Sequence, residues 1–411
     1  MTKRFANPFP ALALTSEDAR QLEGLAHAFI RSSMDQFEQF ALRNKSNVDD
    51  ARWKYVTERE NVRVFSERRE KDRHGKDRES DEDAPVLNAA DLPVVLVTGT
   101  IEGKLDDAIY GYVCPDLDTM RIKTSYIDDA LVGSAVLASL IKPTPADPFR
   151  SLSIKWIEKG RPIHVRAVAK NRDFVYMEST GTDVLSNGER IGYHLIHSVQ
   201  FPQTPELDTV VRGNMSVSGI FRQKTDNTVE IYIKGVMNPA GGLMRSIIIK
   251  SAAQALVSSW KYMHCAEMKK LAWLMRQRTL SGPVPSSKKD EDDDDSSMVR
   301  SCAVCGKKPS AFSVLRSRSH SKSKCKICRR CLCSSCKTKK TLSFIAKDLR
   351  LVQQDMTFCE ACVREAASIS AVAIAKDEIV AAEPFSWLDT YASSSSSSEL
   401  SPSGSTYVDQ F

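Results

Sequence analysis

The sequence predicts an α+β protein in which an antiparallel sheet and a long helix are joined to a small module organised by cysteine pairs. Three observations predict it. Strand-like stretches follow one another between residues 152 and 236 with only turn residues between them, the pattern of an antiparallel sheet. The apolar period then changes to that of one long helix ending near Arg278. Last, nine of the 11 cysteines fall between Cys302 and Cys362.

Taken in order, residues 16–42 read as an amphipathic helix. Ser16 is the expected N-cap, Glu17 and Asp18 suit the first turn, and Leu22, Leu25, Ala26, Phe29, Phe37 and Ala41 keep near-helical spacing. Strand-like text follows at 53–56 and 62–66. Residues 67–83 are almost wholly charged and polar, so an exposed loop is expected. Residues 94–101 form a Val-rich strand, and helices are predicted around 106–112 and 134–141. Strands are predicted at 152–158, 163–170, 174–180, 189–198, 215–223 and 229–236. Lys159-Gly160-Arg161-Pro162, Ser186-Asn187-Gly188 and Thr225-Asp226-Asn227 supply turns.

After Asn238-Pro239-Ala240-Gly241-Gly242, the residues Ile249, Ala253, Leu256, Trp260, Met263, Leu271 and Leu274 lie on one helical stripe. A helix of roughly 35 residues spans about 50 Å, enough to cross a whole sheet. Gly282, Pro283 and Pro285 open a linker that carries an acidic block at 290–295. Residues 364–382 are Ala-rich and suit a short helix, and a serine run at 393–398 marks a tail expected to be disordered. The expected segments are 1–14 (N-terminal), 15–279 (sheet domain), 280–299 (acidic linker), 300–364 (cysteine module) and 365–411 (tail).

Residues 1–10 lack the apolar run of about 7–15 residues of an export leader. No stretch approaches the roughly 18–20 apolar residues of a membrane span. A cytoplasmic protein with at most peripheral membrane contact is expected, and its close-set cysteines then point to metal rather than disulfides. Cys114 and Cys265 lie outside the module and read as plain buried thiols. The net charge of +6 is uneven: residues 301–362 hold 14 Lys and Arg against three acids, +11, which leaves about −5 elsewhere. Such a basic module favours anionic partners. Few aromatics interleave with its basic residues to stack bases, so nucleic acid is not expected.

The module reads Cys302-x2-Cys305, Cys325-x2-Cys328, Cys333-x2-Cys336 and Cys359-x2-Cys362, with gaps of 19, four and 22 residues. Eight thiolates suffice for two structural Zn²⁺ ions. The module is too small and polar to fold on apolar burial alone, so metal binding would supply most of its folding free energy. The four-residue gap between the second and third pairs resembles a FYVE finger. A RING finger has two residues there and normally a histidine ligand, which argues against a zinc-dependent ubiquitin ligase. The FYVE resemblance implies a cross-brace: Cys302, Cys305, Cys333 and Cys336 on one zinc, Cys325, Cys328, Cys359 and Cys362 on the other, with Cys331 surplus.

That family's Arg-Arg/Lys-His-His-Cys-Arg signature is replaced here by Ser321-Lys322-Ser323-Lys324-Cys325-Lys326. Its usual glycine after the fourth cysteine is Arg329, and its upstream Trp-x-x-Asp element is missing. Basic character survives in Arg316, Arg318, His320, Lys322, Lys324, Lys326, Arg329 and Arg330, which are the candidate site for an anionic lipid of phosphoinositide type.

Residues 15–278 resemble the START family. The residues that carry the likeness are Arg172-Asp173-Phe174, the Asn238-Pro239-Ala240-Gly241-Gly242 lead-in to the last helix, and the early Trp53. The resemblance implies a helix-grip fold, in which a curved antiparallel sheet grips the C-terminal helix around an apolar cavity for a sterol, phospholipid or ceramide-like ligand. No Gly-x-Ser-x-Gly, phosphate loop or His-Glu-x-x-His is present, so no enzyme is expected. His194 and His197 are three apart on a predicted strand, hence on opposite faces, and read as ordinary strand histidines. The sequence thus points to a non-catalytic peripheral adaptor, cytoplasmic and on endosomal membranes, with a hydrophobic ligand in the first domain and an anionic lipid at the second. A protein-interaction scaffold with no lipid ligand is the alternative.

Overall fold

The computed structural model describes residues 7–69, 91–127, 131–160, 170–280, 301–307, 324–346, 348–382 and 408–409. The expected strand at 163–170 (apart from Lys170), most of the polar loop at 67–83, the acidic block and the serine-rich tail lie outside them.

Helix α1 (Ser16–Glu38) continues into a π-turn at Gln39–Arg43. Its N-cap is Thr15 rather than Ser16. The Thr15 side chain accepts from the Asp18 amide at 3.1 Å, and the Asp18 carboxylate accepts from the Thr15 amide at 2.9 Å, closing a capping box. Strands β1 (Trp53–Arg59), β2 (Val62–Glu67) and β3 (Val94–Glu102) precede two helices, α2 (Leu105–Tyr112) and α3 (Leu117–Ile127). Then come β4 (Leu131–Ile141), β5 (Ser151–Lys159), β6 (Arg172–Val184), β7 (Arg190–Gln200), the short β8 (Val211–Arg212), β9 (Asn214–Thr225) and β10 (Thr228–Asn238). The main path of the sheet is β1-β2-β3-β10-β9-β7-β6-β5-β4, antiparallel throughout.

The helix predicted at 134–141 is a correction: these residues belong to β4, paired along its length with β5. Ser134, Ala135 and Leu137 are buried between neighbours, and strand pairing there overrides the helical preference of Ala and Leu. Helix α3 was not predicted at all.

The two sheet faces bury separate cores. On one, Leu22, Ile30, Met34 and Phe37 of α1 pack over Ile154, Trp156, Met177, Ile191 and Ile220. On the other, Val64, Val97, Ile231 and Phe221 meet α2 and the C-terminal helical segment. That segment is α4 (Arg245–Val257), a 3₁₀ turn at Ser258–Lys261 and α5 (Tyr262–Leu280). Its lead-in is a tight corner: Ala240, Gly241 and Gly242 all have positive φ, and Asn238 Oδ1 accepts from the Ala240 amide at 3.0 Å. The Arg172 Nε donates to Pro239 O at 3.2 Å, tying this corner to β6. Next to it, Asp173 is fully buried and takes hydrogen bonds from Arg212 at 2.9 and 3.1 Å and from Trp156 Nε1 at 2.9 Å. Helix α2 lies against the start of α5 so closely that a Cβ on Gly111 would fall 2.0 Å from the Tyr262 carbonyl oxygen.

In the cysteine module, β11 (Lys337–Ile345) and β12 (Leu351–Cys359) form a hairpin, followed by α6 (Glu360–Ser368) and α7 (Ala371–Ala382). The Ala-rich stretch is therefore two helices. The second returns to the sheet domain, where Ile374 is fully buried, Glu378 accepts from the Tyr110 hydroxyl at 3.0 Å and Asp377 accepts from Trp273 Nε1 at 2.7 Å.

Candidate ligand cavity and metal centre

A cavity of about 100 Å³ lies between the sheet and the C-terminal helical segment. Side chains from β4, β5, β6, β7, β9 and β10 line it together with α3, α4 and Tyr262, so the sheet curls around it. Its apolar wall includes Met215, Val217, Phe221, Met237 and Leu256. Pockets that enclose whole drug-sized ligands run to about 300–1,000 Å³. At about 100 Å³ the cavity has room for only part of a molecule of that size.

One wall is ionic. Glu178 on β6 pairs with Lys155 on β5, and both side chains are at most 3% exposed. Lys155 Nζ also donates to the Cys114 carbonyl at 2.5 Å. His194 Nε2 on β7 lies 2.7 Å from Glu178 Oε1, and its ring stacks on Tyr112 with centroids 5.0 Å apart. Lys123 Nζ on α3 stands 3.6 Å from Glu178. Burial alone would push the Glu178 carboxyl up, but the two ammoniums and the His194 hydrogen bond hold it well below the usual carboxylate range. Burial also lowers the His194 pKa, against the pull of Glu178, which favours the neutral imidazole at pH 7. His197 faces the other way, against Phe29 of α1, with ring centroids 4.2 Å apart.

Reading the sequence missed this group. A signal was present: Lys155 and Glu178 each interrupt an otherwise apolar strand, in Leu152-Ser153-Ile154-Lys155-Trp156-Ile157 and in Phe174-Val175-Tyr176-Met177-Glu178. A charge in such a run needs a buried partner. His194 read as an ordinary strand histidine, whereas it is one member of the cluster.

The cysteines gather into two groups of four. Cys302, Cys305, Cys333 and Cys336 form one, Cys325, Cys328, Cys359 and Cys362 the other, with sulfurs within 4.8 Å of one another in each. The Cys305–Cys333 and Cys328–Cys359 sulfurs are 3.7 and 3.8 Å apart. A disulfide would bring them to about 2.05 Å. Four thiolates about 2.3 Å from a tetrahedral ion stand about 3.8 Å apart, so the groups fit a metal of zinc's size. The thiols pull apart in acidity. Backbone amides, Cys305 first, hold Cys302 down to about 6, while hydrogen bonding to Cys333 and Cys305 pushes Cys336 up to about 12. Four like charges this close need a cation between them.

Each group contains a backbone turn with a residue in the left-handed region: Gly306 at φ +69° after Cys305, and Arg329 at φ +59° after Cys328. Cys331 belongs to neither group; it pairs its backbone with Lys324 and accepts from the Ala303 amide at 2.9 Å. Lys324, Lys326, Arg329 and Arg330 are exposed around the second cysteine pair. Arg316, Arg318, His320 and Lys322 lie outside the described residues.

The two sites share structure. On α3, Met120, Lys123, Thr124 and Ile127 line the cavity. The opposite face meets the cysteine module. Arg121 Nη1 donates to Leu349 O at 2.6 Å, Ser125 Oγ lies 2.7 Å from Ser343 Oγ, and the Tyr126 hydroxyl accepts from the Ser343 amide at 2.6 Å. Helix α5 completes the seat. Cys265, Met268, Leu271 and Leu274 pack with Ile327, Leu342, Phe358 and the ligand cysteines of the second group. Lys340 pairs with Glu267 at 2.7 Å and Arg278 with Glu365 at 2.6 Å.

No protein-family model and no curated protein matches the chain by sequence. Solved structures similar to it include human STARD10, at 13% identity and a TM-score of 0.40 over 68% of this chain and 94% of that one. Human StAR-related lipid transfer protein 5 gives 14% and 0.38 over 58% and 99%. A StAR-related lipid transfer protein fragment from Xanthomonas axonopodis gives 14% and 0.36 over 52% and 98%. The likeness concerns fold. Among the described residues no helix is long and apolar enough to cross a membrane.

Proposed function

We propose that this chain is a non-catalytic binding protein. It takes a hydrophobic ligand between its sheet and C-terminal helix and presents a zinc-stabilised, FYVE-like basic module to an anionic surface of phosphoinositide type. The observation that supports this most is the double use of α3, whose two faces serve the cavity and the cysteine module. Cys302, Cys305, Cys333 and Cys336 would hold one Zn²⁺, and Cys325, Cys328, Cys359 and Cys362 the second, which would fold the module and supply no reaction chemistry. Lys324, Lys326, Arg329 and Arg330 would face the membrane, each adding about 1 kcal/mol of attraction near an anionic bilayer. A cytoplasmic, peripheral endosomal role follows on this reading.

Native mass spectrometry of the full chain tests both halves. The expected result is two zinc ions and a co-purified lipid. Sedimentation with phosphoinositide liposomes at low salt should enrich the protein, and no enrichment on any acidic liposome removes the membrane half. The small size of the cavity favours a second reading, a protein-interaction scaffold with a largely filled interior. Metal without lipid by the same measurement selects it.

A further inference from the structure

The ionic wall of the cavity is not charge-balanced. Among the described residues the Lys, Glu and His side chains in or directly behind the lining are Lys123, Lys159, Lys155, Glu178 and His194, with the thiol of Cys114 and the phenols of Tyr176 and Tyr262 beside them. Three lysines face one carboxylate, and the imidazole is neutral. Glu178 is saturated: Lys155, Lys123 and His194 all converge on it. Lys155 is satisfied by Glu178 and the Cys114 carbonyl. Lys123 is different. Its ion pair is to the already shared Glu178, at 3.6 Å, with Cys114, Tyr262 and Tyr176 also near it, and its side chain is only 12% exposed. Lys159 lines the same cavity beside it. Lysines in excess of carboxylates beside an apolar wall attract an anion. A metal cation is repelled here, and a neutral hydroxyl leaves the charge uncompensated.

We propose that the ligand of this cavity is an acidic amphiphile. Its carboxylate or phosphate-ester head sits on the Lys123 and Lys159 ammoniums, and its chain lies along Val217, Phe221, Met237 and Leu256. The Lys155–Glu178–His194 group then acts as a fixed backing. It holds the position of Lys123 and keeps Glu178 from repelling the incoming anion. This rests on the ligand-binding reading above and names the class of ligand.

The test compares amphiphiles with the same 18-carbon chain on the full-length zinc-loaded protein: oleate, oleoyl lysophosphatidic acid and oleyl alcohol, below their aggregation limits. Affinity for at least one acid should exceed that for the alcohol by about tenfold or more, the worth of a charge-assisted contact. Lys123→Met should remove that preference, Lys123→Arg should keep it, and Lys159→Met should weaken it. The two acids distinguish a carboxylate from a phosphate head, and tighter binding of either supports the inference. Equal binding of acid and alcohol, or an acid preference untouched in Lys123→Met, overturns the inference and leaves the cavity reading standing. Binding of none of the three overturns both.

Discussion

The cavity wall and the cysteine module both crowd ionisable side chains into little space, and they resolve the crowding differently. Around Glu178 the chain supplies the counter-charge itself, through Lys155 and Lys123, and adds a hydrogen bond with His194. The eight paired cysteines have far less: Arg330 reaches Cys328, and four thiols crowded within 4.8 Å in each group suit an outside cation. The sheet domain therefore carries its own stability in two apolar cores and the buried Lys155–Glu178 pair. The module leans on the faces of α3 and α5, and its cysteine groups are placed to gain further stability from a bound metal. The two cysteine groups differ in turn. The first contains the exposed Cys305, whereas three of four ligands in the second are buried against α5.

That contrast predicts the largest effect. Cys359→Ser should cost the second ion and detach the module from α5, since metal binding in small zinc modules is worth about 10–16 kcal/mol. Cys305→Ser should lose one zinc by native mass spectrometry yet leave near-native protection in β12. Equal damage from the two substitutions would erase the distinction between the groups.

Next in size is the ionic wall. Glu178→Gln leaves Lys155 buried without its counter-ion and should lower stability by about 3–5 kcal/mol in a denaturant titration. A loss under 1 kcal/mol, on the order of an exposed pair, would show that the Lys155–Glu178 pair is not shielded from solvent.

His194 gives a smaller, pH-dependent effect. Its pKa is depressed in the folded protein, so the unfolded chain binds its proton more readily. The stability this histidine contributes is complete above its usual value near 6.5 and is lost as pH falls through the folded value. The difference in unfolding free energy between wild type and His194→Gln should shrink with falling pH over that window, at up to about 1.4 kcal/mol per pH unit. A pH-independent difference would contradict the burial of a neutral imidazole.

The smallest effect concerns Arg329, held at positive φ where a glycine is at ease. Arg329→Gly should raise the stability of the zinc-loaded module by about 1 kcal/mol while weakening binding to acidic liposomes. Unchanged liposome binding would mean that the charge at this corner serves no membrane.

Much of the fold was legible in the sequence because the central strands, buried on both faces, are mostly apolar runs separated by turn residues. Strands β3, β5, β6, β7, β9 and β10 and the long C-terminal helical segment fall where those runs, the turns between them and the stripe of Ile249, Ala253 and Leu256 place them. The exceptions share a cause. Helix α3 buries Met120 and Ile127 toward the cavity and Arg121 and Tyr126 toward the module, so it has no single apolar stripe to read. Strand β4 is rich in Ala, Ser and Leu and carries no β-branched run across 134–141, so its pairing with β5 had no local signal. At the site, cysteine spacing speaks for itself, since metal ligands come in near neighbours. The Lys123, Lys155, Glu178 and His194 group comes from four elements, and only the folded sheet brings it together.

Hydrogen exchange across α3, with and without chelation of the metal, tests most directly the coupling between cavity and module. The account predicts that stripping metal from the full chain speeds exchange throughout 117–127 and in the second half of α5, while β1–β3 and α1 keep their protection. If metal is removed and the amides of α3 exchange at their former rate, the helix does not join the two sites and the account is contradicted.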